Sequence, residues 1–141
     1  MGASPIRFVP LDIDFALRDE AHIAHWLTRV AEGEDFFIGR LTYQFCSDGH
    51  LLEINRTHLK HDYYTDIITF DTSRPPVLSG EVFISLDRVR ANAADMGKDV
   101  QVELYRVMVH GLLHLMGYAD ASEEDKAQMR SLEDNALRML H

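Results

Sequence analysis

The stretch VMVHGLLHLMGYAD, residues 107–120, constrains this chain more than any other. Its first ten residues read as a helix that is apolar almost all round, and a globular protein can only bury such a helix. Two histidines, His110 and His114, nevertheless stand within it, four positions apart. One helical turn stacks the two imidazoles on a single face, and a buried imidazole needs a partner for each ring nitrogen. Gly117 stands where a left-handed cap would end the helix, so that Asp120 can turn back toward the rings.

Two readings of this arrangement are open. In the first, His110, His114 and Asp120 hold one divalent metal. Two nitrogens and one oxygen leave a fourth tetrahedral position free, as in a catalytic rather than a structural zinc site. In the second, the histidines are core residues bonded to backbone carbonyls, and Asp120 is an exposed loop residue or a cap of the following helix. A zinc peptidase of the HExxH kind is the weaker catalytic reading. Its general base directly follows the first histidine, and here that position is Gly111. A glycine at that point lets substrate or a neighbouring backbone come close, or serves helix packing.

With 141 residues, 46% of them hydrophobic, the chain is long enough for one sizeable core and too short for two ordinary domains. The reading is therefore a single domain over residues 1–141. The one cysteine, Cys46, cannot form an intrachain disulfide, and the N-terminal MGASPIRFVP lacks the apolar run of a signal peptide. No stretch of eighteen apolar residues suggests membrane insertion, and a cytoplasmic location is expected. The net charge of −9 disfavours general attraction to a phosphate backbone, so any nucleic-acid site must be local.

Periodicity predicts a short strand over residues 6–9 and a helix over about 18–33, with Ile23, Trp26, Leu27, Val30 and Ala31 as its buried stripe. A second strand is expected over 36–46, and then a short amphipathic helix over 50–60 with Asp48 as N-cap. The polar side of that helix carries Arg56, His58 and Lys60, the densest basic cluster in the chain. Strands over 66–71 and 81–85 follow. The loop between them, residues 72–79, contains Pro75 and Pro76, which exclude a central strand there. A helix over 86–96, the histidine helix over about 100–116, and a final helix opened by a Ser122–Asp125 capping box complete the chain. Strands interleaved with helices predict an α/β sandwich on a sheet of about four strands.

The run HGLLHLMGYAD resembles the signature HGxLHLxGYDH of the YbeY family, metal-dependent endoribonucleases of bacterial ribosomal RNA maturation. Residues 65–70, TDIITF, resemble the family's TDVLSF strand, and 80–85, GEVFIS, its GDIxIS strand; Met129 and Glu133 match its tail. The resemblance spans roughly residues 35–137 and implies a mixed sheet. It also implies a zinc cofactor, with manganese or another divalent ion as the alternative, and hydrolysis of single-stranded RNA. The implied partners are ribosomal RNA or the small ribosomal subunit, with neither membrane nor DNA. Two positions depart from the family: its third histidine falls on Asp120, and its substrate-contacting arginine falls on Leu59. Arg56 or Lys60 is the expected substitute for the missing charge, although neither matches it position for position. Asp66 is expected to buttress its strand rather than to bind metal. Two other function classes remain: a metallohydrolase of a different ester or amide, and a non-catalytic ribosome-associated module that keeps its metal for stability.

Overall fold

The structure, a computed structural model, describes residues 4–61 and 63–140. In chain order its elements are β1 (Ile6–Pro10), α1 (Glu20–Gly33), β2 (Phe37–Cys46), α2 (Asp48–His58), β3 (Ile67–Asp71), β4 (Val77–Ser85), α3 (Leu86–Met96), α4 (Val100–Leu115) and α5 (Glu123–Arg138). The four strands form one sheet in the order β1-β2-β4-β3. β1 and β4 run parallel to β2, and β3 runs antiparallel to β4, so the sheet is mixed as expected.

Alternation along the strands sorts their side chains onto two faces. Leu41, Tyr43 and Phe45 of β2, with Leu78, Val82 and Ile84 of β4, point into the main core. There they meet Ile23, Trp26 and Leu27 of α1, Val89 of α3, and Leu104, Met108 and Leu112 of α4. The opposite face carries a smaller cluster of Cys46, Ile68 and Phe83, which Leu51 and Ile54 of α2 cover. Burying each large aliphatic side chain contributes roughly 1.5–3 kcal/mol, which makes α4 the main anchor of the core. Two buried hydrogen bonds tie helices to the frame: Trp26 Nε1 donates to the carbonyl of Ala136 at 2.7 Å, and the Tyr43 hydroxyl to that of Met108 at 2.8 Å.

Four boundaries differ from the sequence expectation by two residues or more, each for a physical reason. β4 begins at Val77, not at residue 81, and is a central strand between β2 and β3. Pro75 and Pro76 both precede it, so every residue from Val77 onward keeps its ladder donor. α1 starts at Glu20, because Asp19 adopts a left-handed φ of 56°. α2 is capped by Ser47 rather than Asp48: the Ser47 hydroxyl accepts the amide of His50 at 3.1 Å. Asp12 in turn accepts from the Ser47 amide at 2.8 Å, and Asp48 pairs with Arg88 at 2.6 Å. Finally, α2 stops at His58, and Lys60 beyond it is left-handed with φ 57°. The capping box of α5 forms in both halves between Ser122 and Asp125. Among the described residues no helix is long and apolar enough to cross a membrane.

Candidate metal centre

Gly111 seats α4 directly against the sheet. A Cβ there would stand 3.0 Å from Cγ1 of Val82 and 3.1 Å from Cδ1 of Ile67, so the glycine serves close packing rather than substrate access. Just past the C-terminus of the helix Gly117, with φ 104°, closes a Schellman motif. The Gly117 amide bonds the carbonyl of His114, and the Tyr118 amide that of Leu113. This reversal carries the Tyr118 carbonyl back over α4, where it lies 2.9 Å from His114 Nδ1.

A carbonyl oxygen only accepts, so His114 Nδ1 carries the proton and its Nε2 is left with a lone pair. His110 is arranged in the same way by a different group. Its Nδ1 lies 2.6 Å from Oε2 of Glu133 on α5, and Arg106 donates to Oε1 of the same carboxylate at 2.9 Å. Burial opposes ionisation of Glu133, but the hydrogen bonds from His110 and Arg106 outweigh it and hold the carboxyl below its usual range. Both Nε2 atoms therefore point inward with their other nitrogens committed, and they lie 2.9 Å apart. Two lone pairs at that separation repel unless a cation stands between them. A proton is the minimal such cation. Burial disfavours charge on either ring, yet Glu133 and Asp120 raise the affinity of His110, while His110 itself further lowers that of His114.

Asp120 completes the group. Its Oδ2 lies 3.5 Å from His110 Nε2, and one donor atom from each of the three residues falls within 4.8 Å of the others. Tetrahedral ligands at 2.0–2.1 Å from zinc lie about 3.3 Å from one another; the donor elements suit such an ion, and the 2.9 Å and 3.5 Å separations bracket that spacing. Carboxylate–histidine pairing at Nδ1 is the usual support for a metal-binding imidazole. Beside the group is a cavity of about 210 Å³ lined by Asp66, Glu103, Arg106, His110, Asp120 and Glu133. The backbone carbonyl of Asp66 accepts the Ser85 amide at 3.0 Å, while the residue lines this cavity together with His110 and Asp120. Its carboxyl is raised by burial, as is that of Glu103.

The basic cluster lies elsewhere. Arg56 is half exposed and 3.8 Å from Glu53, and neither Arg56 nor Lys60 lines the groove that opens beside His114. Leu59 does. Sequence reasoning noted Glu133 only as a match in the tail and missed its bond to His110, along with the supporting roles of Arg106 and the Tyr118 carbonyl. A usable signal was present: Met129, Glu133 and Ala136 share the buried face of α5, and a carboxylate on an apolar face needs a partner.

The family model described as Endoribonuclease YbeY matches residues 13–141, which include every residue of the candidate centre. The chain belongs to the YbeY endoribonuclease family. Among curated YbeY proteins, that of Cytophaga hutchinsonii is 46% identical over 140 residues, covering 99% of this chain and 98% of its own length. That of Flavobacterium psychrophilum is 44% identical over 130 residues, or 92% of this chain and 93% of its own. Both are named Endoribonuclease YbeY. A Thermotoga maritima protein solved in solution has the same fold, with a TM-score of 0.69 at 21% identity over 96% of this chain and 88% of its own.

Proposed function

We propose that this chain is a single-domain, metal-dependent endoribonuclease that hydrolyses phosphodiester bonds of single-stranded RNA. Ribosomal RNA in maturation and quality control is its substrate, and the cytoplasm its place of action. The observation that carries this reading is the convergence of two imidazole Nε2 atoms and a carboxylate on one point, in a chain whose relatives are named endoribonucleases.

His110, His114 and Asp120 would hold a zinc ion. Bound there, zinc supplies a Lewis acid that acidifies water and offsets charge on a phosphoryl oxygen. Glu133 and the Tyr118 carbonyl fix the tautomers that expose both Nε2 atoms. Arg56 and Lys60, on and just beyond the exposed side of α2, hold flanking phosphates and steer RNA to a protein whose net charge of −9 otherwise repels it. The carboxylate ligand makes the site harder than three histidines would, so manganese competes with zinc more effectively.

The test is elemental analysis of purified protein together with cleavage of a single-stranded ribosomal RNA fragment, with and without EDTA. A stoichiometric divalent metal and cleavage that EDTA abolishes and zinc or manganese restores are expected. Absence of metal, or cleavage indifferent to EDTA, would overturn the proposal.

A further inference from the structure

A groove of about 260 Å³ opens beside His114, sharing no lining residue with the acidic cavity, and its lining includes Asn55, Leu59, Tyr63, Ile67, Thr69 and His114. Among the described residues that line it there is no lysine or arginine, so a phosphate placed there would meet no such countercharge. Its floor is apolar, its threonines are neutral hydrogen-bonding groups, and one wall is aromatic. Tyr63 is 56% exposed and stacks on His61, with ring centroids 5.2 Å apart and planes 20° from parallel. The Tyr63 hydroxyl also lies 3.1 Å from His61 Nδ1.

This wall is held in place from below. Asn55 is buried, and its side-chain amide donates to the Tyr63 carbonyl at 2.8 Å. Its backbone carbonyl accepts the amides of Leu59 and His61 at 3.1 and 3.0 Å. A large exposed aromatic whose own carbonyl is bonded to a buried side chain presents a stacking surface at reduced cost in ordering. The groove is smaller than the roughly 300–1,000 Å³ typical of drug-sized ligands, which suits one planar ring system rather than a length of chain.

Resting on the endoribonuclease reading, we infer that this groove is a nucleobase subsite: one unpaired base of the RNA stacks on Tyr63, whose ring is backed by His61, over Leu59 and Ile67. Its backbone then passes His114. Leu59 makes the groove selective for a base instead of a phosphate, since an arginine at that position would fill it with charge. Recognition here is by the face of the base, so binding tolerates all four bases and requires that one be present. The outer edge of β3, which pairs only with β4, also borders the groove, so an extended peptide is the competing occupant.

The test uses the full chain and short single-stranded RNAs carrying one 2-aminopurine, read by stopped-flow fluorescence before cleavage sets in. Quenching is expected when the probe occupies one particular position relative to the cleaved bond, and an abasic residue there should weaken binding about tenfold. Tyr63→Ala should lose the quench and the abasic penalty together, while Tyr63→Phe keeps both. Leu59→Arg should abolish the quench while RNA binding becomes more salt-dependent. RNA that binds with no quench at any position, or with a quench untouched by Tyr63→Ala, would refute the subsite and leave the endoribonuclease reading standing. Failure of wild type to bind any RNA would overturn both. Displacement of the RNA by short extended peptides at equal affinity would assign the groove to a peptide.

Discussion

Oε2 of Glu133 and Nδ1 of His110 lie 2.6 Å apart, joining α5 to the histidine-bearing side of α4 across 23 positions of sequence. Glu133 is thereby fixed from two sides, by His110 and by Arg106, and Arg106 is itself held by Asp134 at 2.7 Å. The final helix thus sets the orientation of an imidazole it does not itself carry. Glu133→Gln keeps the shape but removes the charge that holds the Nδ1 proton in place. Isothermal titration with zinc should show affinity reduced about 10–100-fold, the range expected for removing such a supporting carboxylate. Unchanged affinity would mean that the tautomer is set by something else.

Asp120 stands where the family signature has its last histidine. A carboxylate oxygen and an imidazole nitrogen bind zinc at nearly the same distance, roughly 2.0–2.2 Å, so either residue suits the cage. Metal titration of Asp120→Ala should show loss of most of the affinity, and Asp120→His should retain it. Equal affinity across wild type and both variants would show that Asp120 is not a ligand.

Because the proposed ligands lie on α4 and on the turn that follows it, one ion would tie the helix end to the start of the α5 connection. A metal bound only by the native state adds about 2.7 kcal/mol at a hundredfold excess over Kd. For a chain of this size that corresponds to roughly 5–10 °C in Tm. Calorimetry of metal-loaded protein with and without EDTA should show that drop.

Cys46 offers a check on the sheet itself. Burial pushes its thiol up to about 12, and the carboxylates of Asp12, Asp87 and Asp48 add to the effect. At pH 8 only about one thiol in ten thousand would be ionised, so Ellman's reagent should react with native protein only at the rate of unfolding. Prompt reaction in buffer would show that the face covered by α2 opens easily.

The features legible in the sequence were those fixed by neighbours along the chain. The histidine pair, the Gly117 cap, the Ser122–Asp125 box and the apolar character of α4 all follow from spacings of a few residues, and the fold class follows from their succession. Features set by distant partners were not legible. Ser47 rather than Asp48 caps α2 because Asp12 and Arg88, each more than thirty positions away, claim the two side chains. β4 is four residues longer than its periodicity suggested because it is paired along both edges. His110 gains its partner only when α5 folds back across α4.

Gly111 draws a boundary between two enzymes that one helix could otherwise encode. The position after the first histidine is where a zinc peptidase carries its catalytic glutamate. Here it is pressed against Val82 and Ile67, with no room for even a methyl group at ordinary contact distance. A glutamate introduced there would press on the Val82 and Ile67 side chains and be directed at the sheet rather than at a substrate. The contact that steadies the histidines thus closes the mutational route from this hydrolase to a peptidase.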